Sequence, residues 1–168
     1  MQPATSALPP STRFPAHQHI SPRTLTTTTT NFLSVNADWR AFISLSRDLR
    51  GDRAVALAAV TTHGGALQHC SEALRGDSAI VLASLGPLGH ELAHAAATLR
   101  ADRAFVLRAV AVSGRALRSA ADPLRGDRTV ALAACAADGL ALAFASEELQ
   151  ADRGVVLAAV RKDGTSLR

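Results

Sequence analysis

A five-residue phrase returns along this chain at an interval of 25 residues, without an insertion or deletion between its copies. The consensus is Leu-Arg-Gly-Asp-Arg, and the copies begin at Leu49, Leu74, Leu99, Leu124 and Leu149. A tandem repeat of this length is one supersecondary unit, which can bury its apolar face only against its neighbours. The chain is therefore expected to fold as a stack of similar units rather than around one central core.

Each unit is predicted to contain a helix, a turn and a second, shorter helix. The Asp of each copy precedes a run rich in Ala, Val and Leu, where a carboxylate caps the free N–H groups of a helix. A glycine follows 12 residues after each Asp, the interval expected for a helix of about ten residues that ends in a left-handed glycine. An apolar i, i+3 pair in the second element predicts a short helix, and a 3₁₀ turn stays an alternative there. The predicted caps are Asp52, Asp77, Asp102, Asp127 and Asp152, and the predicted glycine turns are Gly64, Gly89, Gly114, Gly139 and Gly164.

The same period also occurs in leucine-rich repeats, which have to be excluded. Those repeats need a strand and an Asn or Cys ladder, whereas the units here contain no Asn and have strong helix propensity. We therefore predict an all-α fold, an α-solenoid of about five helix-turn-helix units over residues 38–168, with units starting near 49, 74, 99, 124 and 149. Gly86-Pro87 should end the first helix of the second unit one turn early.

The first 37 residues differ in composition, with five of the seven prolines and no acidic residue. Such a segment cannot bury enough apolar surface to offset its ordering entropy, so a disordered tail is predicted over residues 1–37. A transit peptide for organelle import stays an alternative, because the segment is rich in Ser and Thr and carries Arg13 and Arg23. Trp39 and Phe42 then align with the second half of a unit, which indicates an incomplete leading unit with Trp39 covering its end.

The charge of the chain argues against nucleic acid or a membrane surface as the partner. The sequence pI is about 10.4, but from Asp38 onward 16 basic residues face 14 acidic ones. A nearly neutral repeat region does not favour polyanion binding. Cys70 and Cys135 occupy different positions of units far apart in the stack, which predicts reduced thiols in an intracellular, most simply cytoplasmic, protein.

The repeated phrase resembles a known family. The pattern D-R-x-V-x-L-x-A-V, followed by G-x-x-L and the Leu-Arg corner, is similar to the repeats classified as domain of unknown function 4116. It is most complete at residues 52–60 and 152–160, and the resemblance extends over residues 41–168. It implies an α-helical repeat array and transfers no activity, because the family has none assigned.

One catalytic pattern occurs, at His90-Glu91-Leu92-Ala93-His94. On an α-helix, histidines at i and i+4 can share a zinc ion while the Glu activates its water, and His69 lies one period before His94. The repeat alignment gives a simpler interpretation, since both motif histidines fall on variable, outward positions. Surface histidines are predicted, and a zinc-dependent hydrolase stays the alternative.

The repeated charges are expected to be structural. Each unit supplies one cap carboxylate, too few for a calcium loop. Local pairing with the Asp two residues later is predicted for the corner arginines, which are Arg50, Arg75, Arg100 and Arg125.

Functional residues are sought at the positions that vary between units. The third unit carries the most basic exterior, next to an apolar spot in the fourth. A basic cluster beside an apolar site suits an acidic, amphipathic protein segment. We therefore predict a non-enzymatic protein-interaction scaffold without a cofactor, with partner-binding residues Arg108, Arg115, Arg118, Leu140 and Phe144.

Overall fold

The computed structural model describes residues 38–164, and this part of the chain is helical throughout, without a strand. The all-α prediction is confirmed for these residues. The predicted tail or transit peptide over residues 1–37 lies outside the described range, as do residues 165–168.

Three elements recur in the same order every 25 residues: a long α-helix, a 3₁₀ segment, and a short corner helix that leads into the next unit. The long helices are Arg53–Thr62, Ser78–Ser84, Arg103–Val112, Arg128–Ala137 and Arg153–Lys162. The 3₁₀ segments are Gly64–His69, His90–His94, Gly114–Ser119 and Gly139–Phe144. The corner helices are Arg47–Arg50, Glu72–Arg75, Ala97–Ala101, Asp122–Arg125 and Glu147–Gln150, and a further short helix, Arg40–Ser44, comes before them.

The second helix predicted for each unit is wrong in type. Its place is taken by the 3₁₀ segment, the alternative that the i, i+3 apolar spacing left open, and the corner helix is a separate element. The apolar pair also suits a 3₁₀ segment because residues i and i+3 eclipse there. Leu67, Leu92 and Leu117 from these segments are fully buried in the core.

The aspartate caps are confirmed at the start of every long helix. At Asp127, one carboxylate oxygen accepts hydrogen bonds from Thr129 N–H at 2.8 Å and Val130 N–H at 3.1 Å. Such a cap contributes about 1 kcal/mol to the stability of a helix.

The glycine turns are explained differently from the prediction. Within the described residues only Gly89 has a positive φ, of 62°, so the left-handed conformation predicted for the other turn glycines is wrong. A Cβ at Gly114 would collide with the carbonyl oxygen of Ala134 in the next long helix, and a Cβ at Gly139 would collide with that of Ala159. Glycine is therefore required by the close approach of the following unit.

The second unit departs as Gly86-Pro87 predicts. Its long helix has seven residues and ends at Ser84, whereas the other four have ten. The proline prevents the helix from continuing because its ring fixes φ and it has no N–H to donate.

Consecutive units are joined by backbone hydrogen bonds at the corners. Ala96 N–H donates to the carbonyl of Arg75 and Ala121 N–H to that of Arg100, both at 2.9 Å. Each bond crosses from one corner helix to the start of the next, so the corner edge is tied together unit by unit.

The predicted local pairing of the corner arginines is wrong, because the cap aspartates pair across units instead. Arg103 Nε lies 2.7 Å from Asp127 Oδ2, and Arg128 Nε lies 3.3 Å from Asp152 Oδ2. The partner is the arginine that follows the cap of the preceding unit. Ser78 replaces that arginine in the second unit, and Asp102 accordingly has no ion pair among residues 38–164.

Cys70 and Cys135 are both buried and free, and burial raises the pKa of each thiol to about 11.

The N-terminal end of the described residues packs against the first unit. Phe42 is fully buried, and the Trp39 ring stacks on the His63 ring with centroids 4.2 Å apart. Arg40–Ser44 thus occupies the place of a 3₁₀ segment, as the alignment predicts.

The glycine contact is tested by adding one methyl group at two positions. We expect Gly114→Ala to lower the free energy of unfolding by about 1–3 kcal/mol, because the Cβ displaces the next helix. Gly126→Ala is the matched control, since its Cβ would meet nothing closer than 3.6 Å and the corresponding residue of the fifth unit is Ala151. Urea unfolding followed by circular dichroism measures both, and equal effects of the two substitutions would contradict the explanation.

The cross-unit ion pair is tested by its pH dependence. The hydrogen bond from Arg103 holds the pKa of Asp127 at about 2, below the ~3.9 of an unfolded aspartate. The pair therefore stabilises the fold fully above about pH 4, and this contribution is lost as the pH falls toward 2.

We expect Arg103→Gln to raise the pKa of Asp127, measured by an NMR titration of its carboxyl. The difference in unfolding free energy between wild type and Arg103→Gln should shrink as the pH falls from 4 to 2. Arg153→Gln, at the same repeat position but without an ion pair among residues 38–164, is the control. An unchanged Asp127 titration in Arg103→Gln would refute the pairing.

Candidate functional site

A cavity of about 300 Å³ opens between the second, third and fourth units. We call it the interunit cavity. Arg115, Arg118 and Phe144, three of the five residues predicted to bind a partner, lie in its wall together with Leu88 and His90. Residues from three units therefore meet at one place, because the 3₁₀ segments of consecutive units pack side by side.

Arg118 and Phe144 contact each other in the cavity wall. The guanidinium carbon of Arg118 lies 5.8 Å from the centroid of the Phe144 ring, within the range of a cation–π interaction. Arg118 is exposed and forms no ion pair within residues 38–164. Its positive charge is therefore available to a ligand.

Arg115 is held in place by a carboxylate of the following unit. Its Nε donates to Asp138 Oδ2 at 2.6 Å, while Asp138 Oδ1 accepts from Leu140 N–H at 2.9 Å. This pairing compensates the charge of Arg115 and fixes the side chain as a wall of the cavity. The site consequently carries less free positive charge than the sequence alone indicates.

The other two predicted partner-binding residues lie outside the cavity wall. Arg108 is exposed on the long helix Arg103–Val112, and Leu140 is 37% exposed at the start of the fourth 3₁₀ segment. Neither lines the interunit cavity. Their role in binding stays a prediction.

Sequence reasoning missed Leu88 and Asp138. Leu88 is 55% exposed because it follows Gly86-Pro87, where the chain leaves the shortened helix and turns. The sequence did indicate that Leu88 is exposed, because this apolar residue stands between a proline and a glycine in a turn. Asp138 carried no such signal, because its partner Arg115 is 23 residues away along the chain.

The His90–His94 stretch is a 3₁₀ segment, which changes the geometry assumed for the zinc alternative. With three residues per turn, the residue above i is i+3 rather than i+4. The two histidines therefore do not share one helix face as they would on an α-helix. Across residues 38–164, no group of three or more His, Cys, Asp or Glu side chains is arranged to hold a metal ion. Burial, together with the nearby His90, lowers the pKa of His94.

Glu91 has a structural place in the second unit. The residue is 5% exposed, and its carboxylate accepts a hydrogen bond from Gly86 N–H at 3.2 Å. Alanine occupies the same position in the neighbouring units, as Ala66 and Ala116, both fully buried. The longer side chain accepts the hydrogen bond of a backbone N–H where the helix of this unit ends early. It also packs beside Gly64.

The chain was also compared with known families, proteins and structures. Residues 127–168 match the family model of a domain of unknown function, DUF4116. The match supports a DUF4116 assignment, and it lies within the region where the sequence showed the resemblance. Searches of curated proteins and of solved structures returned no match. The DUF4116 family description carries no activity to this chain.

The helices of residues 38–164 are too short or too polar to span a membrane.

The structural role of Glu91 gives a test that also bears on zinc. We expect Glu91→Ala to lower the free energy of unfolding by about 1–3 kcal/mol, because it leaves the Gly86 N–H without a partner. His94→Ala, a half-buried side chain without such a bond, should cost less than about 1 kcal/mol. Urea unfolding with and without added zinc measures both effects. A zinc-dependent stabilisation that disappears in His94→Ala would contradict this interpretation.

Proposed function

We propose that the chain is a non-enzymatic α-solenoid scaffold that binds a protein partner at the interunit cavity. The single observation that supports this best is the combination of Arg118, Phe144 and Leu88 in one wall. It offers an unpaired cation beside two apolar side chains on the surface of a repeat array.

The regular linkage of the units supports the scaffold role. Each long helix packs on its neighbours, and the backbone bonds at the corners and the aspartate–arginine pairs recur at the same positions. In such arrays the repeated residues build the framework and the variable residues select the partner. A framework that is already ordered loses little conformational entropy when it binds.

The chemistry of the cavity suits an acidic, amphipathic segment. A volume of about 300 Å³ is at the small end of ligand pockets and fits one anchoring side chain. That apolar anchor would lie between Leu88 and Phe144, with a carboxylate of the same segment next to Arg118. His90, 61% exposed, stands at the rim.

Nucleic acid and anionic membranes are less suitable partners. From Asp38 onward the basic residues exceed the acidic ones by only two, and several arginines are neutralised by cross-unit pairs. Binding through phosphate contacts would need a larger excess of free cations and would weaken steeply with salt.

The proposal is tested by selecting peptides from a random display library on the full-length protein. We expect the selected peptides to combine acidic residues with a large apolar one. Their affinity, measured by fluorescence anisotropy, should fall at least tenfold in Arg118→Glu and in Phe144→Ala, because Arg118 supplies the unpaired charge of the cavity and Phe144 supplies an apolar side chain of its wall.

Arg153→Glu is the matched control, since Arg153 is exposed outside the cavity and the same charge reversal there should change the affinity less than threefold. Equal losses for Arg153→Glu and Arg118→Glu would indicate general charge attraction and refute the assignment. Selection of basic peptides, or of none, would refute the proposed partner chemistry.

A further inference from the structure

The corner arginines form a second set of cations that the interunit cavity does not use. The Nε atom of each is buried and has no hydrogen-bond partner. In the fifth unit Gln150 takes this position and donates to the carbonyl of Ala145 at 2.9 Å. Donors without a partner are costly in a folded protein and call for an explanation. They are Arg50, Arg75, Arg100 and Arg125.

Two of these arginines face one cavity of about 420 Å³ at the corner of the first unit, which we call the corner cleft. Arg50 and Arg75 line it from two consecutive corners, and Arg47 adds a third guanidinium. None of the three forms an ion pair within residues 38–164. Glu72 is the one carboxylate in the lining, which also includes His69.

The thiol of Cys70, which also lines the corner cleft, reports the electrostatic field there. Burial raises its pKa, and the positive charges of Arg75 and Arg50 act in the opposite direction. Both guanidinium groups therefore lie close enough to this thiol to affect its pKa.

We propose that the corner cleft binds a phosphomonoester group. Arginine has donors and no acceptor, so the ligand must supply acceptor oxygens. Three arginines and one glutamate leave a formal charge of +2 without His69, which matches the −1.5 to −2 of a phosphomonoester near neutral pH. A carboxylate ligand supplies one negative charge, which leaves one of the two excess positive charges of the cleft uncompensated. Arginine also pairs with phosphate through two parallel hydrogen bonds.

At two other places along this edge a carboxylate offsets the charge of the corner arginine. In the neighbouring cavity, Arg75 is the one arginine among Glu72, Thr98 and three alanines. Arg125 lies 3.6 Å from the carboxylate of Asp122. The buried Nε donors thus recur along the array, and the corner cleft is lined by three arginines against one carboxylate.

The proposal is tested by titrating the full-length protein with inorganic phosphate and, separately, with a short phosphoserine peptide. Binding is followed by NMR of the arginine Nε–H resonances, and Arg50 and Arg75 should shift in a saturable manner. Arg75→Gln should weaken phosphate binding about tenfold or more, because it removes a charge-assisted donor pair. Glutamine is chosen because Gln150 already occupies this repeat position.

Arg100→Gln is the matched control, because the same change is made at a corner outside the cleft, and it should weaken binding less than twofold. Equal weakening by the two substitutions, the absence of saturable shifts, or acetate binding as tightly as phosphate would overturn the proposal. Tighter binding of the phosphoserine peptide than of inorganic phosphate would assign the site to a phosphorylated protein. Equal affinities would show that the site recognises the phosphate group alone. Circular dichroism of each variant shows that the variant is folded.

Discussion

The close approach of a long helix to the turn glycine of the preceding unit, seen at Gly64, Gly114 and Gly139, determines how the units fit together. Because a side chain at Gly114 would overlap the carbonyl of Ala134, only a bare backbone lets the two units reach this distance. The helix faces then meet through small residues, and Ala109 and Ala134 are completely buried. At the opposite edge the corner hydrogen bonds and the aspartate–arginine pairs hold the same two units. Each unit is thus attached at both edges, so the side chains that differ between units stand at set positions.

Features governed by neighbours along the chain could be predicted from the sequence. The aspartate caps follow from local hydrogen bonding, and the early end of the second long helix follows from the missing N–H of Pro87. Features governed by the stacking of units could not. The partner of Arg103 is Asp127, 24 residues away, and nothing in the order of the residues shows which aspartate lies closer in space. The turn glycines were identified correctly, but the reason for them lies in the adjacent unit.

The residues of the candidate site also divide into those that the sequence could predict and those that it could not. Arg115, Arg118 and Phe144 were found because they vary where the repeat is otherwise regular, and the structure brings them to one cavity. Leu88 was overlooked because the turn that exposes it exists only in the second unit. The same irregular unit explains Glu91, whose carboxylate occupies space that alanine leaves elsewhere and binds the backbone of Gly86. The glutamate of a sequence pattern with a catalytic appearance thus has a structural contact where the helix is shortened.

The glycine–carbonyl contact also restricts which changes in length the chain tolerates. One residue added to the long helix between Asp127 and Ala134 would leave Asp127 beside Arg103 but would move the carbonyl of Ala134 off Gly114. The two contacts would then no longer form together. Addition or removal of a complete unit of the regular type leaves such contacts in register, because the unit brings its own glycine, carbonyl, aspartate and arginine. An array of this kind therefore changes its length in steps of one whole repeat, and its binding surface is extended or shortened in the same steps.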